Sequence, residues 1–132
     1  MAVDLLEEIA PVVGVAGNND PPPLVARFGR RGIVTVDGVR IGMVHGDKGV
    51  GRSTPERAAA TFAGDDVALV AFGHSHIALC EHRDGRWLLN PGSPPARRRS
   101  PQFSYGILEI RSGHVTPSLH FYADRTATAA AE

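Results

Sequence analysis

The sequence has one cysteine, no long apolar run and no excess of charge of either sign. With Cys80 alone, an intramolecular disulfide is excluded. The longest apolar run, Val67 to Phe72, is far shorter than the roughly 20 residues that a spanning helix needs, so we expect no association with a membrane. Fourteen basic residues balance fourteen acidic ones, and the sequence therefore lacks the positive footprint of a protein that binds duplex nucleic acid.

The length and the two ends of the sequence predict its domain organisation. A chain of 132 residues has the size of one domain, which we place at residues 1–125. Residues 126–132 are mostly Ala and Thr, and we expect them to form a disordered tail. The first residues lack the basic and then apolar pattern of a secretory signal, which favours a cytoplasmic protein.

Helical spacing and runs of β-branched residues predict an α/β fold. Apolar residues at helical intervals indicate a helix over residues 3–10, and Val12 to Ala16 is typical of a strand buried on both faces. A capping pattern at Ser53 predicts the start of a second helix. Val67 to Phe72 is predicted to be another buried strand. Three two-residue turns, at Asp37-Gly38, Asp84-Gly85 and Ser112-Gly113, predict hairpins.

Four loops combine glycine with polar side chains that can bind metal, each at the end of a predicted strand. In α/β sheets such loops build a common site. One carboxamide and three imidazoles suit manganese, iron, nickel or zinc. Taken singly, Asn18 is more typical of a residue that bonds its own backbone in a turn, and His45 of a half-buried strand end. The loops are Gly17-Asn18-Asn19-Asp20, His45-Gly46-Asp47, Gly73-His74-Ser75-His76 and Asn90-Pro91-Gly92-Ser93.

The order of these motifs resembles the calcineurin-like metallophosphoesterase superfamily, and in particular the YfcE-type phosphodiesterases. The resemblance covers the chain from about Leu5 to Ile110. It implies an αββα sandwich, two packed sheets with helices outside, and a site with two divalent ions, manganese before nickel, iron or zinc. It also implies hydrolysis of a small phosphodiester substrate by a metal-bound hydroxide, with no side chain certain to be catalytic.

The resemblance implies a role for each candidate residue. Asn18, His45 and His74 match ligands of the second metal, and His76 matches a ligand of the first. Asn19 stands where many relatives have a histidine that protonates the leaving group, so we expect a preference for activated phosphodiesters. Asp47 is either an acceptor for His45 or a loop cap. The residues expected at the substrate rim or behind the ligands are Asn19, Asp20, Asp47, Asn90 and Ser93.

The sequence departs from the family ahead of Asn18. The family's Asp-x-His and Gly-Asp strand ends are absent there, which leaves His76 as the one ligand of the first metal. We therefore expect the first strand-helix-strand unit to be missing, through a downstream start, a fragment or genuine loss, and activity of this chain alone is then in question. The uncovered edge of Val12 to Val15 predicts either poor solubility or a homodimer. The alternative function is a non-catalytic interaction module or pseudoenzyme, as in a retromer subunit that resembles the family.

Overall fold

A computed structural model describes residues 8, 10–15, 29–47, 49–75, 77–92 and 103–122, which form two sheets and a helix. A five-stranded sheet has the order β1-β2-β3-β5-β4, and β6 and β7 pair as a separate hairpin. The elements are β1 (Arg31–Val36), β2 (Val39–Val44), α1 (Thr54–Thr61), β3 (Leu69–Ala71), β4 (Leu79–Arg83), β5 (Arg86–Asn90), β6 (Phe103–Arg111) and β7 (His114–Tyr122).

Tight turns create the three hairpins, as the sequence predicts. Both residues of each turn have positive φ, for example 48° at Asp37 and 81° at Gly38. That conformation gives a type I′ turn, whose twist matches the twist of the paired strands. β1 pairs with β2, β4 with β5 and β6 with β7, all antiparallel. The predicted hairpins are therefore confirmed.

The centre of the large sheet is parallel. β3 pairs with β2 through Ile41↔Leu69 and with β5 through Leu69↔Trp87, in parallel register on both sides. Parallel neighbours end at the same edge of a sheet, so the loops after β2, β3 and β5 lie side by side. The predicted strand from Val67 to Phe72 is confirmed, but β3 is shorter than predicted and has three residues.

Alternating side chains of the central strands fill two cores. Val70 and Leu88 point to one face, where they pack with Ala58 of α1 and with Phe62, which directly follows α1. Leu69 and Leu89 point to the other face and pack with residues of the β6–β7 hairpin such as Val115. The described residues thus form three layers of helix, sheet and sheet, which agrees with the predicted α/β class.

Helix α1 begins where the capping pattern predicts. Ser53 is the N-cap, and its Oγ accepts a hydrogen bond from the backbone N–H of Glu56 at 3.3 Å. Pro55 lies in the first turn, where its missing N–H has no cost. Phe62 follows the last turn and is fully buried against the sheet.

The predicted strand from Val12 to Ala16 is wrong over residues 12–15. These residues have no strand hydrogen bonding, and the side chain of Val13 is 60% exposed. A buried strand requires neighbours on both sides, and β1 pairs only with β2 among the described residues. Instead Val15 approaches the backbone of β1 beside Gly32. Ala16, the predicted helix over residues 3–10 and the predicted tail at 126–132 lie outside the described residues, apart from Glu8 and Ala10, which are not helical.

Within the described ranges, no helix is both long enough and apolar enough to cross a membrane.

Candidate metal centre at the ends of the parallel strands

Two histidines meet at the shared edge of β2 and β3. His45 directly follows β2, and His74 lies three residues after the end of β3. The Nε2 atom of His45 is 3.3 Å from the Nδ1 atom of His74. The ring centroids are 5.1 Å apart and the ring planes are inclined by 76°. Topology therefore brings together two imidazoles that are 29 residues apart in the sequence.

The backbone of His74 is turned to present its ring at this position. His74 has a φ of 67°, which lies in the left-handed region that a residue with a side chain rarely adopts. The preceding residue, Gly73, donates its N–H to the carbonyl of His45 at 2.9 Å. The N–H of Ser75 turns back to the carbonyl of Gly73 at 2.8 Å. This tight turn fixes His74 against the loop that carries His45.

The spacing of the two histidines fits a common metal ion. Two nitrogens that each lie about 2.0–2.1 Å from one ion with tetrahedral angles are roughly 3.3–3.4 Å apart. The observed separation of 3.3 Å matches that geometry. Among the described residues, no group of three or more His, Cys, Asp or Glu side chains could hold a metal. The separation of His45 and His74 is therefore compatible with both rings binding one ion.

Asn90 connects the loop after β3 to the turn after β5. Its side chain is fully buried, and the Nδ2 atom donates to the carbonyl of Gly73 at 3.3 Å and to Oγ of Ser75 at 3.0 Å. The Oδ1 atom accepts a hydrogen bond from the N–H of Gly92 at 3.0 Å. Asn90 thus lies behind the loop that carries His74 and holds it in place.

Ser104 on β6 packs behind the same turn. Its hydroxyl is buried and makes no hydrogen bond in the described part of the chain. A Cβ atom added at Gly92 would lie 1.7 Å from this oxygen, and Gly92 has a φ of +84°. Only glycine fits at position 92 for both reasons.

The other predicted site residues are placed as follows. Asp47 is half-buried in the loop after His45, and whether it caps the loop or supports the histidine stays a prediction. The remaining candidates lie outside the described residues, so their roles also stay predictions. These are Asn18, Asn19, Asp20, His76 and Ser93.

Sequence reasoning missed Arg57 and Thr54, which support the His45 loop from α1. The Nε atom of Arg57 donates to the carbonyl of Gly46 at 2.9 Å, and its Nη2 atom donates to Oγ1 of Thr54 at 3.1 Å. No local signal marks Arg57, because the carbonyl that it binds is 11 residues away. The glycines of the loop were the available hint, since they permit its close approach to a helix.

A cavity of about 380 Å³ lies away from the histidines, between α1 and the β4–β5 turn. Its lining includes Asp84 in that turn, whereas Asn90 lies at the far end of β5. The histidine site is accordingly at the opposite edge of the sheet.

A family model described as a calcineurin-like phosphoesterase superfamily domain matches residues 1–113. The chain belongs to the calcineurin-like phosphoesterase superfamily. The resemblance of its loop motifs is thereby confirmed at the level of the superfamily. His45 and His74 therefore lie in a fold whose members include phosphoesterases.

Similar proteins agree with this membership. A probable metallophosphoesterase, MJ0623 from Methanocaldococcus jannaschii, is 32% identical over 98 residues, which are 73% of this chain and 48% of the relative. The chain thus spans about half the length of that curated relative.

Two solved structures have the same fold as this member of the superfamily. Zinc-complexed Vps29 from Entamoeba histolytica has a TM-score of 0.66 and 22% identity, with 90% of this chain and 74% of that chain covered. A structure described as a novel archaeal phosphodiesterase has a TM-score of 0.65 and 17% identity, with 89% and 76% covered. At such identities the likeness concerns the fold, which is of the metallophosphoesterase type.

Proposed function

We propose that this chain carries half of a two-metal phosphodiesterase site, in which His45 and His74 bind one divalent ion. The observation that carries the proposal is the 3.3 Å separation of their nitrogens at the edge of the parallel strands. Asn18 is proposed as the third ligand of this ion and His76 as a ligand of the other ion. Superfamily membership and the probable metallophosphoesterase among the relatives support the same chemistry.

The residues of the chain have separate tasks in this proposal. A bound divalent ion would supply a Lewis acid that neutralises phosphate charge and activates water. His45 and His74 present ring nitrogens to it, and Asn90 keeps the loop that carries His74 in place through its bonds to Gly73 and Ser75. We assign no side chain as a general acid or base.

The proposed substrate is a small phosphodiester with a good leaving group. Asn19 occupies the position of a possible general acid, and a carboxamide cannot protonate a departing alkoxide. We expect faster hydrolysis of a bis(nitrophenyl) phosphodiester than of an alkyl phosphomonoester. Equal rates on both would contradict this assignment of the substrate.

The ion in this proposal is manganese before nickel, iron or zinc, because imidazole and carboxamide ligands suit this group of metals. Zinc in the related Vps29 structure favours including zinc in every titration. We also propose that the protein acts in the cytoplasm on a small molecule, and that it forms a homodimer, which sedimentation equilibrium would reveal.

The finer architecture in this proposal is an αββα sandwich with residues 1–125 as one domain. The strand-helix-strand unit that the sequence is expected to lack would carry the Asp-x-His and Gly-Asp ligands of the other ion. In-frame translation of the DNA upstream of Met1 tests this expectation. Both motifs in that translation would support it, and an immediate stop codon would contradict it.

The deciding experiment counts bound ions. Purified protein is dialysed against Mn²⁺ or Zn²⁺, and the metal is then measured alongside His45→Ala, His74→Ala and the control His114→Ala, whose side chain is exposed at the start of β7. We expect at least one ion per chain, a loss of affinity of about tenfold or more in the first two variants, and no change in the control.

Absence of bound metal would overturn the proposal, and so would binding that survives both substitutions at His45 and His74. Either result would favour the alternative of a non-catalytic interaction module. One observation is consistent with that alternative. The described residues place two histidines together at the site, but no group of three or more side chains that could hold a metal ion.

A further inference from the structure

The guanidinium of Arg57 connects helix α1 to the loop that carries His45. It is half-buried, and it donates from Nε to the carbonyl of Gly46 at 2.9 Å. A second bond runs from Nη2 to the hydroxyl of Thr54 at 3.1 Å. Thr54 belongs to the first turn of the same helix, so the side chain of Arg57 is bonded to both the helix and the loop.

The loop after β2 lies close to α1 near Arg57. Gly46 has a φ of +105°, and a Cβ atom there would lie 2.7 Å from Cγ2 of Thr54. At Gly49 a Cβ atom would lie 2.9 Å from the carbonyl oxygen of Arg57, and at Gly51 it would lie 2.7 Å from Cβ of Glu56. The helix therefore leaves no room for a side chain at these three glycines, and their absence of a side chain is what lets the loop backbone lie close to α1.

Hydrogen bonds hold the backbone on both sides of Gly46. The carbonyl of His45 accepts a hydrogen bond from the N–H of Gly73, next to His74. The carbonyl of Gly46 accepts the bond from Arg57. The first bond ties His45 to the β3 loop and the second ties it to α1, so both determine where the His45 ring lies.

We propose that Arg57 is a positioning residue of the metal site: it anchors the loop after β2 to α1 and so holds His45 at ligand distance from His74. This inference rests on the proposed function. Arg57 does not bind the metal itself in this proposal. Its contribution is to reduce the reorganisation that His45 must undergo before both imidazoles can bind one ion.

The geometry requires arginine rather than a positive charge alone. The two acceptors lie on different segments, and a planar guanidinium reaches both with donors in a fixed arrangement. A lysine at position 57 would keep the charge and most of the side-chain length but would lose this arrangement. Arg57→Lys is therefore the informative substitution.

The chain offers a matched control at the other end of α1. Arg86 on β5 donates from Nη1 to the carbonyl of Phe62 at 2.8 Å and from Nη2 to the carbonyl of Asp65 at 3.0 Å. It also anchors α1 through two hydrogen bonds, but it lies at the opposite end of the sheet from the histidines. Arg86→Lys should thus lower stability without altering the site.

The test combines metal affinity with a signal that needs no metal. Zn²⁺ affinity is measured by titration calorimetry for the wild type, Arg57→Lys and Arg86→Lys. In parallel, the ring resonances of His45 and His74 are recorded by NMR in the metal-free proteins. We expect Arg57→Lys to weaken Zn²⁺ binding about tenfold and to shift both ring signals, while Arg86→Lys leaves both readouts unchanged.

Two results would overturn the proposal. One is wild-type affinity and unshifted ring signals in Arg57→Lys. The other is an equal effect in Arg86→Lys, which would mean that α1 stability alone controls the site. If the wild type binds no Zn²⁺, the proposed function fails, and the ring signals of the metal-free variants still decide whether Arg57 positions His45.

Discussion

Asn90 on β5 donates a hydrogen bond of 3.0 Å to the hydroxyl of Ser75, two residues after Gly73 in the loop that follows β3. Because β3 and β5 are parallel neighbours, this bond runs along the edge where the candidate site lies. The Ser75 hydroxyl in turn accepts a bond from the N–H of Ile77 at 3.3 Å. The conformation of the loop after β3, which carries His74, therefore depends on the buried side chain of Asn90.

Replacing Asn90 by alanine is expected to destabilise the protein strongly. The substitution removes the three hydrogen bonds of the Asn90 side chain, to the Gly73 carbonyl, the Ser75 hydroxyl and the Gly92 N–H, at a cost of about 2–4 kcal/mol in the free energy of unfolding. Urea unfolding measures this cost. As a control, Ser75→Ala removes one of these three bonds together with the exposed bond from the Ile77 N–H, and should cost about 1 kcal/mol. A loss in Asn90→Ala no larger than the loss in Ser75→Ala would show that Asn90 does not brace the turn.

Removing the Ser104 hydroxyl is expected to stabilise the protein. The hydroxyl is buried without a hydrogen bond in the described part of the chain, so Ser104→Ala removes a desolvated polar group and should raise the free energy of unfolding by roughly 1 kcal/mol. Thermal and urea unfolding measure the change. Destabilisation by Ser104→Ala would mean that the hydroxyl has a partner in the folded protein.

Gly92→Ala should unfold or severely weaken the chain, because the new methyl group would overlap Ser104 Oγ and the residue has positive φ. The double variant Gly92→Ala with Ser104→Ala removes the overlap but keeps the unfavourable φ. It should recover part of the loss, and the coupling energy from the double-mutant cycle measures the contact. Additive effects of the two substitutions on the free energy of unfolding would show that a methyl group at position 92 does not overlap the Ser104 hydroxyl.

A methyl group at position 42 is expected to overpack the core between β2 and α1. A Cβ atom at Gly42 would lie 2.8 Å from the Phe62 ring, which is fully buried and cannot move away easily. Gly42→Ala should cost about 1–3 kcal/mol. Gly64→Ala is the control, since its Cβ atom meets nothing within 4 Å, and stability there should be unchanged or slightly higher. Equal stabilities for the two variants would refute this packing.

Cys80 gives a prediction for pH dependence. Burial raises the pKa of the Cys80 thiol above its ordinary value. The folded state thus keeps the proton to higher pH than the unfolded state, so the thiol stabilises the fold fully below its ordinary pKa of about 8.5 and less as the pH rises above it. Cys80 is half-buried on β4.

The measurement is the free energy of unfolding on both sides of about pH 8.5, in the wild type and in Cys80→Ala. The wild type should lose more stability with rising pH than the variant does. An identical slope in the two proteins would show that the thiol does not contribute.

Local chemistry in the sequence was sufficient to predict much of the fold. The Asp37-Gly38 turn needs positive φ at both residues, a requirement of two neighbours alone, and the hairpin followed from it. The start of α1 at Ser53 also depends on residues within one turn. His45 and His74 could be grouped in advance because both follow strands that alternate with helical segments, which predicts a common edge.

Features that depend on distant contacts could not be predicted. Val12 to Val15 has the composition of a strand, but strand formation depends on pairing partners that local sequence does not specify. Arg57 looks like any exposed helical arginine until the Gly46 carbonyl is placed beside it. The sequence placed Asn90 at the rim or behind the ligands without deciding between them, and its complete burial depends on bonds to the distant loop after β3.

The three-residue strand β3 also determines the order in which the site can form. It joins two local hairpins, β1–β2 and β4–β5, which can each form within microseconds, whereas β3 needs partners from both sides. Its amides should therefore become protected from hydrogen exchange only when the whole sheet assembles. His74 lies just beyond β3, so His45 and His74 become neighbours in the same late step, and a nascent or partly unfolded chain has no paired imidazoles to offer a metal.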